Sequence, residues 1–386
     1  MHMDPLLPRL TLALTLLLGV AMLLRKLRQP APVVFMLGGI LVGPSGFDLL
    51  GEDDAFRRIG EFGVILLLFF LGAEISLPSL LRDWRVPVLG TALQIALSVA
   101  AAATVGGVLG WSVARIVLLG FVISLSSTAL VLNLLEERGE RDLPIGKDVI
   151  AILLAQDLAI APMLMILSLL GGVTPTVGQV LAQLVGAIVL LGLVAWVGVR
   201  GTIQLPFMSV WRDDEDLQVF GALFLALALA TASGACGLST AFGAFVGGLV
   251  VGATEESTWV HRSLGPLRSL LVAVFLMAIG AMVDVGFVLD HPVEVLAMAL
   301  AALATNTVFN TVILLTHGRP WRRALYGGAL LAQIGEFSFV LAAVGVQEII
   351  ITEEGYQIAI AVIAATLVLG TPWIGAASRL TRALES

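Results

Sequence analysis

Charge is what this chain lacks most. Only 13% of its 386 residues are Asp, Glu, Lys or Arg, while 59% are hydrophobic. The mean hydropathy is +1.03. No soluble domain of this length encloses so much apolar side chain, so the class is a polytopic membrane protein. The chain also lacks the segments of alternating polarity, roughly 10 residues each, that a membrane barrel needs, which leaves α-helices as the spanning elements. Its single cysteine, Cys236, lies inside an apolar segment and excludes a disulfide framework. No nucleotide, metal or catalytic-nucleophile motif appears, so neither an enzyme nor a cofactor is expected, and nothing marks nucleic acid as a partner. The net charge of −7 identifies no partner, because most charges fall in loops. Signal-peptide marks are missing from the first apolar run, Leu6 to Leu24. Its n-region carries only Arg9, no small-residue cleavage site follows, and Arg25-Lys26-Leu27-Arg28 caps its far side.

What is there is a series of apolar runs. A bilayer crossing by a helix takes roughly 17–25 residues. Thirteen such runs can be drawn, over about 6–24, 31–50, 60–80, 87–110, 114–135, 147–170, 177–200, 217–234, 237–254, 266–287, 292–316, 323–346 and 355–377. Threading them through a bilayer sorts the basic residues. Arg25, Lys26, Arg28, Arg82, Arg85, Arg138, Arg141, Lys147, Arg200, Arg212, Arg262, Arg268, Arg319, Arg322, Arg323, Arg379 and Arg382 fall on one side. These are 17 of the 21 Lys and Arg residues. Only Arg9, Arg57, Arg58 and Arg115 fall on the other. The positive-inside rule then places the N-terminus outside and the C-terminus in the cytoplasm. A miscounted span would scramble this asymmetry.

An internal repeat runs through the chain. Gly38–Pro44 (Gly-Gly-Ile-Leu-Val-Gly-Pro) is echoed by Gly247–Ala253 (Gly-Gly-Leu-Val-Val-Gly-Ala), and Phe70-Leu71-Gly72-Ala73 by Ala278-Ile279-Gly280-Ala281. Gly120 pairs with Gly328, and Pro162 with Pro372. The offsets are 209, 208, 208 and 210 residues. An offset of seven spans, an odd number, inverts one half relative to the other. The expected organisation is one transmembrane domain over 1–386, with repeat one at about 6–170, a linker span at 177–200 and repeat two at about 217–377.

Asp157 is the residue most out of place. It follows Gln156 near the middle of the apolar run from Val149 to Leu170. A carboxylate at bilayer depth costs several kcal/mol unless paired or wetted, and marks a functional site by default. Repeat transporters place ions at the midplane, between discontinuous helices. The fifth span carries Ser124-Leu125-Ser126-Ser127-Thr128 at mid-depth, and its repeat mate, the twelfth, carries Gln333-Ile334-Gly335-Glu336. Hydroxyls, amides and Gly suit unwound segments, so both are read as breaks that cross, against the alternative of intact helices whose Ser and Thr bond back to their own carbonyls. Gln156 and Asp157 then form a hard-oxygen cation site with Ser126, Ser127 and Thr128. Desolvation penalises the bare carboxylate, so a proton and a monovalent cation compete to neutralise Asp157. Glu336 keeps two roles open: a charged group at a half-helix N-terminus, or a protonated donor. Glu74, toward the cytoplasmic end of the third span, fits anchoring or gating. Gln94, Asn306 and Asn310 read as interhelical glue, and the loops Glu52-Asp53-Asp54 and Glu353-Glu354 as solvated.

Taken together these stretches resemble the cation:proton antiporter-2 family, most closely its Kef-like potassium/proton branch. The residues that carry the resemblance span nearly the whole chain: Leu27–Pro30 with Gly39–Pro44, Leu71–Ile75, Leu125–Ala129 with Leu135–Gly139, Gln156–Ala159, Gly237–Ser239 with Ala241–Phe245, and Gln333–Phe337. Gln156-Asp157 is similar to the Kef-type form of the family's ion-binding pair. The resemblance implies a sodium/proton-antiporter-like fold with crossed broken helices, alternating access and a homodimer. Two departures stand out. Members commonly carry a basic residue in the span before the second broken helix, where this chain has only Asn306 and Asn310. Glutathione-gated Kef proteins carry an acidic loop before the tenth span and a C-terminal nucleotide-binding domain. Here that loop reads Thr258–Pro266 without an acidic cluster, and the chain stops at Ser386. A cytoplasmic regulatory nucleotide-binding domain is therefore expected, if anywhere, outside this chain.

The expected function is secondary antiport of K⁺ or Na⁺ against H⁺ across the cytoplasmic (inner) membrane, with Asp157 binding cation and proton in turn. Two other classes compete. A sodium-coupled organic-anion carrier shares the architecture, but no Lys or Arg lies mid-span to meet an anion, which leaves helix N-termini for that task. A channel would need a continuous polar lining rather than one polar cluster. A sensor or docking subunit without transport leaves the mid-membrane carboxylates unexplained.

Overall fold

Within a bilayer, backbone N–H and C=O groups must find partners inside the chain, and a helix pairs them segment by segment. The computed structural model describes residues 31–49, 54–74, 85–171, 177–203, 214–254 and 257–383, with scattered positions between 11 and 22. The described residues are helical almost throughout: α1 Ala31–Val42, α2 Asp54–Glu74, α3 Gly90–Leu109 after a π-helical turn at Arg85–Leu89, α4 Val113–Ser124, α5 Thr128–Glu137, α6 Pro144–Leu170, α7 Val177–Arg200, α8 Glu215–Ala235, α9 Thr240–Gly252, α10 Ser257–Met282, α11 Val285–Asp290, α12 Pro292–Thr316, α13 Trp321–Leu330, α14 Phe337–Gln347 and α15 Glu353–Ala383. Among the described residues, six stretches are each long and apolar enough to cross a membrane: Pro87–Leu109, Pro144–Leu170, Gly178–Arg200, Leu217–Ala235, Pro292–Thr316 and Glu353–Thr381.

Several helices outrun the apolar spans expected of them. α2 begins at Asp54 instead of residue 60, and α15 runs from Glu353 to Ala383 instead of 355–377. The stretch Thr258–Pro266, expected as a loop, belongs to α10, which starts at Ser257. Hydropathy marks the depth of the hydrocarbon, whereas helix hydrogen bonds continue into polar sequence beyond it. Most of the expected first span, the basic residues Arg25, Lys26, Arg28, Arg82 and Arg212, and most of the Glu52-Asp53-Asp54 loop lie outside the described residues.

Contacts divide the chain into two units. The first comprises residues 1–59, 85–156 and 276–386. In it α12 packs on α3, α13 and α15, while α14 packs on α4 and α15. At one end of this unit Arg138, just past α5, donates to the Tyr326 hydroxyl on α13 at 2.8 Å, and that hydroxyl donates to Glu140 at 2.6 Å. The second unit comprises residues 60–84 and 157–275. Its core sets Leu66, Phe69, Phe70 and Ala73 of α2 against Ala222, Ala226 and Ala230 of α8, with Ala244 and Val251 of α9. The α2 residues recur at helical spacing, and the alanines, four apart, give α8 a flat face for close approach.

Glycine sets the closest helix contacts, and the same contacts occur twice. In the first unit Gly39 of α1 lies against the Met277 carbonyl, and Gly280 against the Met36 carbonyl. In the second, Gly248 of α9 lies against the Phe69 carbonyl, and Gly72 against the Phe245 carbonyl. Every residue of one set maps onto the other at an offset of 208 or 209, the interval of the sequence repeat. A third pair lies within the first unit: an added Cβ would stand 2.6 Å from Val99 Cα at Gly120 and 2.5 Å from Thr307 O at Gly328. These residues too are 208 apart.

Backbone cannot move aside as a flexible side chain can. Gly248→Leu is therefore expected to lower the melting midpoint of purified protein, from an overpacking cost on the order of 1–3 kcal/mol. Gly107→Ala, where an added Cβ meets nothing within 4 Å, should leave the midpoint unchanged or slightly raised. Fluorescence-detected gel filtration after heating reads both.

Candidate functional site

The expected fifth span is two helices. α4 stops at Ser124, Leu125 is extended (φ −89, ψ 128), and α5 restarts at Thr128. Local hydroxyls stabilise the break. Ser124 Oγ donates back to Phe121 O at 2.9 Å, and Ser127, the N-cap of α5, accepts from Leu130 N at 3.4 Å. The expected twelfth span is interrupted in the same way, between Leu330 of α13 and Phe337 of α14. The two breaks meet: Ser126 and Ile334 pair antiparallel, and Gly335 N donates to Leu125 O at 2.9 Å. Only glycine fits at 335, because an added Cβ would stand 2.6 Å from Ser126 O.

Breaking two buried helices frees backbone groups that must be paired again. Side chains do most of this. Gln156 Oε1 on α6 accepts from Ser126 N at 3.0 Å. Ser126 Oγ donates to Leu331 O at 2.8 Å, and Ser338 Oγ returns the favour to Val122 O at 2.7 Å. Gln333 Nε2 donates to Leu330 O at 2.8 Å, and Thr366 Oγ1 of α15 accepts from Ile334 N at 3.2 Å. Asn306 of α12 donates to Ile123 O at 2.8 Å and to Ala332 O at 3.1 Å. The opposite ends of the breaks differ in charge. The N-termini of α5 and α14, partially positive, converge on Ser127 and Glu336, whose side chains join as Ser127 Oγ to Glu336 Oε2 at 3.1 Å. Glu336 stands at the N-cap position of α14, and its side chain makes no capping bond to the α14 backbone.

Ser126, Ser127, Gln156, Gln333, Gly335 and Glu336 thus come together at one crossover. Asp157 follows Gln156 on α6 and is 3% exposed. Thr128 opens α5, half-buried. Glu74 closes α2, and its side chain lies outside the described residues. Gln156 Oε1 faces Ser126 N–H, which can only donate, and this oxygen keeps a second lone pair. The amide therefore turns its Nε2 the other way, and this buried nitrogen has no protein partner. Ser126 Oγ gives its hydrogen to Leu331 O and keeps its own lone pairs. Among residues not assigned to the site from sequence, Ser338 and Thr366 join it through long-range bonds, and Asn306 reaches both interrupted helices at once. Their only signal is a polar side chain at mid-span. Among the described residues no group of three or more His, Cys, Asp or Glu could hold a metal ion. The donors are hydroxyl, amide and carboxylate oxygens, which suit a hard monovalent cation.

The sodium/hydrogen exchanger family matches residues 12–379 of this chain. The iron transporter MagA of Paramagnetospirillum magneticum is 34% identical over 378 residues, 97% of this chain and 87% of that protein. K(+) efflux antiporter 5 of Arabidopsis thaliana is 31% identical over 82% of this chain and 56% of its own length. The putative cation/proton antiporter YbaL of Escherichia coli is 30% identical over 93% and 66%. This chain thus spans little more than half of some relatives. In fold it is similar to the sodium proton antiporter MjNhaP1 of Methanocaldococcus jannaschii, with a TM-score of 0.71 at 18% identity over 96% of this chain and 98% of that one.

Removing the Gln156 amide strips Ser126 N of its acceptor. Gln156→Leu is expected to destabilise the protein by about 1–3 kcal/mol, the penalty of a buried donor left unpaired. A melting midpoint equal to that of the unsubstituted protein would show the bond to be dispensable.

Proposed function

This chain belongs to the sodium/hydrogen exchanger family, and on that premise we propose that it exchanges K⁺, or failing that Na⁺, for H⁺ by alternating access, with Asp157 as the carrier. It is a multi-pass membrane transporter and not an enzyme. The proposed setting is the cytoplasmic (inner) membrane, with the N-terminus outside, the C-terminus in the cytoplasm, and two copies forming a homodimer. The proposed topology is thirteen crossings in two inverted repeats, a reading supported by glycine contacts that recur at the repeat offset.

The observation that carries the cation reading is the occupancy of the half-helix N-termini. An organic-anion carrier without deep cations would have to receive its cargo there. At this crossover the protein's own Ser127 and Glu336 fill that place. What the cluster offers is oxygen and negative charge, and Asp157 lies buried one residue from the amide bonded to the crossing strand. A bare carboxylate in that setting is neutralised by a cation or a proton, one excluding the other, and this exclusion is antiport. K⁺ stands first because the Gln156-Asp157 pair resembles the Kef type and several relatives are named as K⁺ efflux antiporters. The iron named for one relative finds no imidazole or thiolate cluster among the described residues. Glu336, bonded to Ser127, tunes the site without carrying the ion.

The test is proton flux in proteoliposomes, driven in turn by K⁺, Na⁺ and Li⁺ gradients. Asp157→Asn keeps the shape and removes the charge, so exchange should fall to background in protein that still elutes as folded. Substantial exchange by this variant would sink the assignment. Glu336→Gln should retain measurable exchange with a shifted pH profile, and complete loss in folded protein would make it a second carrier.

Charge counting adds a second prediction. One carboxylate neutralised once by either ion moves no net charge per cycle, and α12 carries no Lys or Arg to release another proton. The cation gradient that nulls proton flux should therefore not depend on membrane potential. Clamping liposomes at several potentials measures it, and a null point that moves with voltage would mean unequal stoichiometry.

A further inference from the structure

An interrupted helix leaves carbonyls unpaired at its C-terminal end and a partial negative charge of about half an electron there. α4 and α13 both end at the crossover, and one side chain serves both. Asn306 uses the two hydrogens of Nδ2, one on Ile123 O at 2.8 Å and one on Ala332 O at 3.1 Å. Its direction is set from behind: Gln94 Nε2 on α3 donates to Asn306 Oδ1 at 3.0 Å. With its oxygen held by Gln94, the Asn306 amide can turn only its hydrogens toward the carbonyls. Asn310 Nδ2 adds a bond to the Asn306 backbone O at 3.0 Å. Gln94, Asn306 and Asn310 are all 0% exposed.

We infer that Asn306, oriented by Gln94, is a positioning residue that clasps both interrupted helices at the crossover and leaves the negative charge of their ends in place to draw a cation. The second half of this inference rests on the cation-exchange reading, and the first half does not. An amide pairs with a carbonyl without adding charge. A Lys or Arg at the same point would pair with the carbonyls and cancel their field. The groups bonded to Asn306 are uncharged: Gln94, Asn310 and two backbone carbonyls. The acid of the crossover, Glu336, is bonded to Ser127.

Asn306→Asp is nearly isosteric and separates this role from simple space-filling. As a carboxylate it has no donor and sets a charge against two carbonyls. Protonated, it regains one O–H donor. Two measurements follow, each as a ratio to the unsubstituted protein between about pH 6 and about pH 9, a window wide enough to titrate a buried carboxyl. The melting midpoint of Asn306→Asp should fall further behind as pH rises. Its exchange rate should drop at least about tenfold at the alkaline end, equivalent to about 1.4 kcal/mol, and recover toward the acid end. Asn306→Ala should be reduced by one constant factor across the range. A melting gap for Asn306→Asp that is flat with pH would overturn the clasp, as would exchange by this variant at the unsubstituted rate. Should Asn306→Asp not fold, Gln94→Leu takes its place: it spares both donors but releases the amide, so exchange should fall severalfold in folded protein, and an unchanged rate would overturn the inference. Absence of exchange in the unsubstituted protein would instead overturn the antiport reading, with the melting gap still deciding the clasp.

Discussion

A backbone N–H or C=O in hydrocarbon must have a partner, and this chain breaks two helices at one buried crossover. That constraint explains which side chains surround the crossover. Gln156 arrives from α6, Asn306 from α12, Thr366 from α15, and the two breaks lend each other Ser126 and Ser338. Each answers a specific group freed by the interruption. The polar residues around the crossover are therefore consequences of the breaks, and at the breaks hydroxyls, amides and a carboxylate gather together. Architecture and chemistry come from the same requirement.

The constraint also separates two kinds of polar residue. Those at the C-terminal ends of α4 and α13 are donors, because carbonyls point at them. At the N-terminal ends of α5 and α14 stand a hydroxyl that accepts from Leu130 N and a carboxylate that the partial positive charge there favours. Asn306 and Glu336 would not be interchangeable, although each is a single buried polar side chain beside a broken helix. Their polarity follows the direction of the chain.

Much of this was legible in the sequence. The apolar runs located most helices, since spanning needs length and hydrophobicity, and both can be counted. The breaks at 124–128 and 331–336 were legible because clustered hydroxyls, an amide and a glycine are poor interior for a helix. The recurring glycine contacts were legible because glycine has no substitute where backbone meets backbone: Gly39, Gly72, Gly248 and Gly280 each face a carbonyl. Less was legible where position depends on rotation. Nothing in the sequence tells which way Gln156 turns its amide, since oxygen and nitrogen occupy one side chain and the choice belongs to a residue 30 positions away. Asn306 looked like any buried amide, because its two carbonyl partners sit on helices contributed by distant parts of the chain. The ends of α2, α10 and α15 were not legible because polar sequence beyond an apolar run does not interrupt helix hydrogen bonds.

The bond between Gln156 and Ser126 has a mechanical consequence. It joins a side chain of α6 to the backbone of the crossing strand, and both groups are sealed from solvent. A sliding of α6 past the strand by a single residue, a rise of roughly 1.5 Å, would stretch that bond beyond use and strand a donor in apolar surroundings. Shear along this boundary is therefore resisted, and a push on α6 is passed to the crossing strand instead of being absorbed between them. The link behaves as a strut between Gln156 and the crossing strand.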